Sequence, residues 1–444
     1  MKKTVLSMLC LLLAIFLLAG CSGCSTTPSS VASEGSEVVQ STAPEAEGEP
    51  GEPEKPEKIT ISCGSVPAPA YEAIAKVYTE RYGIEVELIV DSYDNMRNKI
   101  ITTAASDSSD VDIATLDTVW PAEFLKAGVA YPLNEFVTDE KLAQFVPVTM
   151  DQLTVDDQIM GLPFSNESLW LYYNEALLKE GGYDAPPATW EEAITMANDL
   201  KDQGLVKYGT AWGASQSEGL ICVYAALLKA FDGDWKSGDE WNLNSQNAVD
   251  ALNFLKDSME NGLADPASVT YNDTVIQNAL MSKEVAFVLN WSAAQTVYNE
   301  DGSPVKGEIK VSVLPGTEKY STVSGSTTGG GGLFVFNNSK NKYWAYKFLE
   351  LMTDLDMQKE SIAVCANMPV LEAIYEDTEV LSEYPHLEAQ APQFDHELYR
   401  PKLVRYSEWS EVMQRHLHSV LAGSVDAQTA LDSAQEEVIS LGIE

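Results

Sequence analysis

The sequence predicts an α/β protein, because short β-rich runs alternate with stretches of helical periodicity. The first three predicted strands are "KITISCG" (58–64), "IEVELIV" (84–90) and "DVDIATLD" (110–117), and a helical stretch separates each from the next. Strands and helices that alternate at this spacing build right-handed βαβ units around a parallel sheet. Ligands bind where the carboxyl ends of such strands meet loops, so residues that follow these strands are candidates for a site.

The helices of the first quarter are predicted from the spacing of their apolar residues. The stretch "AYEAIAKVYTERYG" places Tyr71, Ile74 and Tyr78 on one helical face, and Gly83 ends the helix. A second helical stretch covers 96–105. These two helices connect the first three predicted strands.

The middle and the end of the chain continue the alternation. "VDDQIMGLPF" predicts a hairpin with its turn at Asp156 and Asp157, and "SLWLYYNEALLKEGG" predicts a strand that runs into a helix. Thr189 and Glu192 have the spacing of a capping box, and their helix ends at Gly204. "KYWAYKFLELMT", "WSEVMQRHLHSVLAG" and "VDAQTALDSAQEEVISLG" are helical by period. No half of the chain is strand-only or helix-only.

The N-terminus has the features of a secretory signal. Two lysines precede a mostly apolar stretch from Val5 to Leu18, which is shorter than the roughly 20 residues that a membrane-spanning helix needs. The tetrapeptide "LAGC", which ends at Cys21, resembles the lipobox of bacterial lipoproteins. This likeness implies a signal peptide over 1–20 and two acyl chains on Cys21, enough for stable anchoring. Cleavage without lipidation is the alternative.

A polar tether is predicted over 21–57. Ser, Thr, Pro, Gly and Glu dominate the segment, so it has little to bury and should stay extended. The remaining chain of about 385 residues exceeds what one core usually supports, which favours two domains. The formal net charge of −39 argues against nucleic acid and anionic lipid as partners.

The cysteines and histidines do not predict a metal or catalytic centre. Outside the signal and the lipid site, Cys24, Cys63, Cys222 and Cys365 are widely scattered. Buried free thiols are favoured, and a bridge between Cys222 and Cys365 stays open. All four histidines fall in the last quarter, and no HExxH, nucleophile elbow or zinc spacing occurs. We therefore predict no cofactor, no metal and no enzymatic activity.

Four consecutive glycines, Gly329 to Gly332, precede the predicted strand 333–336. A phosphate loop would need a Lys and a Ser or Thr at the end of the run and a helix directly after it, and none follows. Glycine also permits the φ/ψ changes of a hinge and the close approach of backbone to a ligand. We favour this second interpretation, and a surface loop before an edge strand is the alternative.

The order of motifs resembles one family. After the lipobox and the tether come "DVDIATLDTVW", "AGVAYPL", "GLPFSNESLWLYYN", "PPATWEEA", "KEVAFVLNW", the glycine tract, "CANMPV", "YRPKLVRYSEWSEV" and "AGSVDAQTALDSAQEEV". Together they resemble the extracellular solute-binding proteins of ABC importers, specifically the maltose-binding-like, carbohydrate-associated group. The resemblance covers nearly everything from Lys58 to Leu441.

The resemblance implies a two-lobed, periplasmic-binding-protein-like fold of type II. Each lobe would be a mixed, mostly parallel sheet flanked by helices, and crossing hinge segments would join the lobes. The implied first lobe is 58–165 with 330–380, and the implied second lobe is 168–325 with 385–444. Proteins similar to this one perform no chemistry. They hold a sugar or oligosaccharide between the lobes and deliver it to the membrane permease, and we expect a monomer on the extracellular face of the cell membrane.

Aromatic platforms beside planar polar side chains suit neutral sugars. Asp117 ends the third predicted strand and Trp120 follows it, and the resemblance supports Asp117 as a hydroxyl acceptor and Trp120 as a platform. Glu167 matches a ligand-contacting carboxylate of maltose-binding relatives. Trp291, after an apolar strand, and Trp409, in the loop before a late helix, match positions that stack on sugar.

Further candidates for ligand contact are Asn166 at the first crossing, Gly329 and Gly330 at the second, and Tyr93, Trp212 and Arg400. Trp170, Trp190 and Trp344 lie inside periodic elements and are predicted to be core. Unlike maltose binders, "LDTVW" has no basic residue just after its acid, which argues against maltose itself.

Two alternatives stay open at this point. One is a surface-anchored glycan hydrolase, since with 67 acidic residues the sequence does not exclude a catalytic pair of carboxylates. The other is the same fold with a peptide, a polyamine or another non-sugar solute as its ligand.

Overall fold

The computed structural model describes residues 52–106 and 110–443. The predicted signal peptide, the lipidation site at Cys21 and all but the end of the predicted tether lie outside the described residues. From Pro53 onward the chain forms one compact unit. Within the described ranges, every helix is too short or too polar to cross a membrane.

The strands are β1 (Lys58–Gly64), β2 (Glu85–Asp91), β3 (Ile113–Asp117), β4 (Thr154–Val155), β5 (Gln158–Ile159), β6 (Leu162–Ser168), β7 (Trp170–Asn174), β8 (Tyr208–Ala211), β9 (Lys236–Ser237), β10 (Glu240–Trp241), β11 (Val285–Asn290), β12 (Ile309–Ser312), β13 (Ser326–Val335) and β14 (Glu397–Leu398).

The helices of the first half are α1 (Ala68–Tyr82), α2 (Tyr93–Ala105), α3 (Pro121–Lys126), α4 (Asp139–Leu142), α5 (Pro147–Leu153), α6 (Glu175–Glu180), α7 (Trp190–Asp202), α8 (Glu218–Ala230) and α9 (Gln246–Glu260). Those of the second half are α10 (Asp273–Met281), α11 (Ala294–Asn299), α12 (Lys342–Met352), α13 (Leu355–Cys365), α14 (Glu372–Tyr375), α15 (Thr378–Glu383), α16 (His386–Gln390), α17 (Tyr406–Leu421) and α18 (Ala427–Ser440). Short 3-10 helices cover Pro266–Thr270 and Ala391–His396.

The first large sheet has six strands. Its core is the predicted parallel arrangement, with β1 between β2 and β3. β13 then pairs antiparallel with both β3 and β6, and parallel with β14. The βαβ prediction from the first quarter is confirmed, and the antiparallel strand β13 is supplied from far along the chain.

The second large sheet has the order β12-β7-β11-β8. β7 runs antiparallel to both β11 and β12, and only β11 and β8 are parallel. The prediction that each sheet is mostly parallel is therefore wrong for this one. A parallel neighbour has to be reached through a crossover connection, which is usually a helix. β7 follows β6 directly, so the alternation of strands and helices did not require β7 to be parallel to its neighbours.

The chain passes from the first sheet to the second between β6 and β7 and returns between β12 and β13. Because β6 and β13 pair with each other, the outward and the returning segments lie side by side. We call them the β6–β13 pair. This pair is the physical connection between the two sheets.

Several local predictions are confirmed. The hairpin turn has its two residues Asp156 and Asp157 at positive φ. Tyr71, Ile74 and Tyr78 are buried on one face of α1. The Thr189 hydroxyl accepts the Glu192 N–H at 3.2 Å, but the Glu192 carboxylate accepts from the Ala188 N–H, so the return half of the capping box is shifted by one residue.

The prediction that three tryptophans and the scattered cysteines are buried is also confirmed for the described residues. Trp170, Trp190 and Trp344 are buried. Cys63, Cys222 and Cys365 are buried free thiols, which settles the open question of a bridge between the last two.

The glycine tract is not the surface loop that was the alternative interpretation, and its roles as a hinge and as a ligand contact stay predictions. It is not a loop, since Gly329 to Gly332 lie inside β13, which begins at Ser326 and not at the predicted Leu333. Gly330 and Gly331 have positive φ of 80° and 131°. A Cβ at Gly330 would lie 2.6 Å from the Ser165 carbonyl oxygen. Only glycine fits here, because β13 is pressed between two strands and bulges between Gly331 and Gly332.

Candidate ligand-binding site

Polar and aromatic side chains from both large sheets converge beside the β6–β13 pair. Asp117 ends β3, and its backbone pairs with Gly331 of β13. Glu167 lies in β6 opposite Gly329, and Asn166 lies opposite Gly330. From the second sheet's side come Trp291, directly after β11, and the first residues of α8 and α10.

Arg400 bridges Asp117, at the end of β3 in the first sheet, and Glu218, which begins α8 after strand β8 of the second sheet. It lies just after β14, and its guanidinium donates to Glu218 Oε1 at 2.8 Å and to Asp117 Oδ1 at 3.2 Å. The Arg400 side chain is only 3% exposed, so both ion pairs are poorly screened. A third donor contact of the guanidinium reaches the Thr118 hydroxyl at 3.2 Å. One cation thus holds two carboxylates, and the fork of the guanidinium suits that geometry.

Glu218 gathers further donors at the start of α8. The hydroxyl of Tyr406 donates to Oε1, and the hydroxyl of Ser410 donates to Oε2 at 2.5 Å. Together with Arg400, these bonds fix the orientation of the carboxylate and satisfy both its oxygens. Glu218 is therefore a positioning group rather than a free acceptor.

Tyr93 and Trp120 form an aromatic pair over Asp117. The Tyr93 hydroxyl donates to Asp117 Oδ2 at 2.9 Å. The two rings stack with centroids 5.8 Å apart and an interplanar angle of 20°. Trp120 is 3% exposed and Tyr93 is 42% exposed, so the available aromatic face belongs to Tyr93. Tyr93 is the first residue of α2, two residues after the end of β2.

Trp291 is half-buried and lies directly against the glycine tract. A Cβ at Gly329 would come within 2.3 Å of Trp291 Cζ3, so the missing side chain is what admits the indole. The indole N–H donates to Asp273 Oδ2 at 3.2 Å. The Trp291 ring thus packs directly against the backbone of strand β13.

Glu167 connects the β6–β13 pair to the loop after β11. Its carboxylate accepts from the Ser292 hydroxyl at 2.6 Å, from the Ser292 N–H at 3.1 Å and from the Met368 N–H at 3.4 Å. Burial raises the pKa of Glu167 to about 7, although these donors oppose the shift. The neighbouring Asn166 is buried, and its backbone N–H donates to the Met368 carbonyl at 3.0 Å.

Two nominated tryptophans are fully buried in packed interiors. Trp212 is 0% exposed, and its indole donates to the Ser258 hydroxyl at 2.8 Å. Trp409 is also 0% exposed, with the ring of Trp235 5.1 Å away and that of Trp241 6.0 Å away. The prediction that Trp409 precedes a helix in a loop is wrong, because it lies in the first turn of α17.

Sequence reasoning missed three residues of this cluster: Glu218, Asp273 and Ser292. Glu218 and Asp273 are the first residues of helices that follow strand-associated loops, which is a weak signal for a site. With 67 acidic residues in the chain, that signal could not separate them from ordinary helix-start acids. Ser292 could have been noticed only as the neighbour of Trp291. Within the described ranges no group of three or more metal-ligating side chains is assembled.

Two sheets that are connected by paired crossing strands, with aromatic and charged side chains beside the crossing, define a two-lobed binding protein. Comparison with known proteins agrees: residues 64–359 match the family model of the bacterial extracellular solute-binding protein. The chain belongs to this family.

Three relatives are informative. A probable ABC transporter-binding protein of Deinococcus radiodurans is 28% identical over 324 residues, which cover 71% of this chain and 76% of that protein. The maltotriose-binding protein of Pyrococcus abyssi is 22% identical over 370 residues, covering 80% and 76%. The maltose-bound structure of T. maritima MalE3 has a TM-score of 0.81 and 28% identity, covering 86% of this chain and 99% of that one.

These likenesses establish the class. The two-lobed mixed α/β fold is that of the MalE-type binding proteins, and the chain is a solute-binding protein of ABC transporters. Its relatives are binding proteins and not enzymes, so the glycan hydrolase alternative is not supported.

Proposed function

We propose that this protein captures a sugar or oligosaccharide between its lobes and delivers it to the permease of an ABC importer. The observation that carries the proposal is the half-buried Trp291, whose ring lies on glycine backbone while its N–H is held by Asp273. An indole fixed at its edge offers a rigid apolar platform for a sugar ring. The sugar ligands named for the maltotriose-binding relative and for the maltose-bound neighbour support the same ligand class.

We place the lobes at 58–165 with 330–380 and at 168–325 with 385–444, which meet at the β6–β13 pair. Of the nominated contacts, the rings of Tyr93 and Trp291 best fit a ligand bound there, while Asp117 and Glu167, whose oxygens already accept protein donors, position the groups around them. Lipidation of Cys21 would hold the protein at the extracellular face of the cell membrane, with the tether between the lipid and the lobes.

A thermal-shift screen against mono- and oligosaccharides, followed by calorimetry on each hit, tests the function. A ligand at a hundredfold excess over its Kd adds about 2.7 kcal/mol to the free energy of unfolding, which is readily seen. Saturable binding of a sugar that is lost in Trp291→Ala is the expected result. Binding of polyamines or peptides with no response to any sugar would favour the non-sugar alternative instead.

A further inference from the structure

Asp273 differs from the other carboxylates of the site in how its oxygens are used. Oδ2 accepts the Trp291 indole N–H, whereas among the residues that the structure describes no donor reaches Oδ1. Two glycines, Gly213 and Gly219, lie beside Oδ1. A Cβ at Gly213 would lie 3.0 Å from Oδ1, and one at Gly219 would lie 3.9 Å from it. The space beside this oxygen is therefore not filled by either residue.

The charge balance of the site also isolates Asp273. Asp117 and Glu218 share the guanidinium of Arg400. Glu167 has three donors from Ser292 and Met368. Within the described part of the chain, no Lys, Arg or His forms an ion pair with Asp273. The site thus carries more negative than positive charge: neither Glu167 nor Asp273 has a counterion among the described residues, and of the four carboxylates Asp273 is the one with an oxygen that no described donor reaches.

The position of Asp273 fits a role toward a ligand rather than toward the fold. The Asp273 carboxylate accepts a hydrogen bond from the indole N–H at the edge of Trp291. The equatorial hydroxyls of a sugar stacked on that ring would therefore point toward Oδ1. A hydroxyl or an ammonium group can donate to this oxygen, whereas a phosphate or carboxylate would be repelled by it. Burial raises the pKa of Asp273 above its ordinary value, which is what poor access of water to the group produces.

We propose that Asp273 is the specificity-determining residue of the site: it admits neutral or cationic sugars and rejects phosphorylated and uronic ones. This inference rests on the proposed sugar-binding function. Two unit charges held about 6 Å apart at a protein surface repel enough to change an affinity on the order of tenfold or more.

The test compares wild type with Asp273→Asn. Asparagine keeps an oxygen for the Trp291 N–H but removes the charge, so the platform is preserved. Asp301→Asn is the matched control, since Asp301 is a fully exposed acid whose ion-pair partner is Lys306. Calorimetry measures Kd for matched probes that differ in charge: glucose, glucosamine and glucose 6-phosphate, and maltose with maltose 1-phosphate.

We expect wild type to bind the neutral or cationic member of a pair at least tenfold more tightly than the phosphorylated one. Asp273→Asn should narrow that ratio about tenfold, while Asp301→Asn leaves it unchanged. An unchanged ratio in Asp273→Asn, with neutral sugar still bound, overturns the inference and leaves the proposed function standing. A wild type that binds the phosphorylated probes as tightly as the neutral ones also overturns it. No response of either protein to any probe counts against both proposals.

Discussion

The Glu167 carboxylate and Ser292 share two hydrogen bonds, one from the Ser292 hydroxyl at 2.6 Å and one from its backbone N–H at 3.1 Å. Glu167 belongs to the strand that leaves the first sheet, and Ser292 follows a strand of the second. The contact therefore depends on how the two sheets are placed relative to each other. The buried carboxyl, whose pKa is near 7, makes this relationship measurable.

Glu167 should make stability depend on pH. Its pKa is raised from 4.5 to about 7 in the folded state, so the folded protein binds more protons than the unfolded chain between these values. Stability must then fall as pH rises from about 4.5 to 7 and level off above that range, by up to about 3 kcal/mol. Urea unfolding at pH 5 and pH 8 should show this loss in wild type and a smaller one in Glu167→Gln.

The comparison with Glu167→Gln isolates one group. Burial also raises the pKa of Glu397 to about 8, and both proteins share that contribution. If wild type and Glu167→Gln lose equal stability between pH 5 and pH 8, the Glu167 carboxyl is not buried as described.

Two tryptophan variants should separate platform from core. Trp291→Ala should weaken sugar binding by about 2 to 3 kcal/mol, because a stacked ring and its buried area are lost. Trp409→Ala removes a fully buried ring and should instead lower the free energy of unfolding by about 3 to 5 kcal/mol. Calorimetry and urea unfolding of both variants check this pattern. A Trp409→Ala protein with wild-type stability and lost binding would reverse the assignment.

The steric confinement of Gly330 can be tested by comparison with Gly238, which also has a positive φ but has open space where a Cβ would be. Gly330 and Gly238 both have positive φ, and a Cβ at Gly238 would meet nothing within 4 Å. Alanine at either position costs about 1 to 2 kcal/mol for the left-handed conformation. Gly330→Ala should cost a further 1 to 3 kcal/mol, on the order of an overpacked core site, because its Cβ collides with the Ser165 carbonyl. Equal losses on urea unfolding would mean that β13 is not confined there.

Ligand binding should bring the lobes together. Contacts from both lobes to one ligand exist only in a closed form, so binding must shift the population toward closure. A micromolar ligand has about 8 kcal/mol of binding free energy, ample for a conformational gap of a few kcal/mol. Small-angle scattering with a sugar hit should give a smaller radius of gyration than scattering without it. Tight binding with no compaction would place the site outside the cleft.

The lipid prediction concerns Cys21. Protein made in its host should partition into detergent and carry an N-terminal diacylated cysteine in mass spectra, because two acyl chains give stable anchoring. Cys21→Ala should be released into the aqueous phase. Equal solubility of the two proteins, or a mature N-terminus at another residue, would contradict the lipobox assignment.

The sequence predicted correctly the features that local interactions determine, and it did not predict those that depend on residues far apart in the chain. The buried face of α1 was readable because Tyr71, Ile74 and Tyr78 repeat with the helical period. The conformation of Gly329 to Gly332 was not readable, because its cause is pairing with strands near residues 117 and 167. Local sequence there indicates a loop or a hinge, and only the long-range pairs make it a strand.

The site residues divide in the same way, into those that local sequence indicated and those that depend on contacts between distant residues. Asp117 and Trp120 were nominated because they lie at and just after the end of a predicted strand, and Trp291 because it follows a strand and matches a position of the family that stacks on sugar. Asp273 escaped notice, since its importance comes from the partner of one oxygen and the absence of a donor to the other among the described residues. The interior location of Trp409 depends on Trp235 and Trp241, whose partners the sequence did not reveal.

Strand β13 has a consequence for how the chain acquires its structure as it is made. It begins at Ser326, whereas its neighbours β3 and β6 end at Asp117 and Ser168. The first sheet therefore cannot close until about 160 more residues have followed β6, and such distant pairing slows folding. A growing chain shorter than this has two separated groups of strands with open edges. The arrangement delays the native state until most of the chain exists, so the nascent chain stays without its complete first sheet for most of its synthesis.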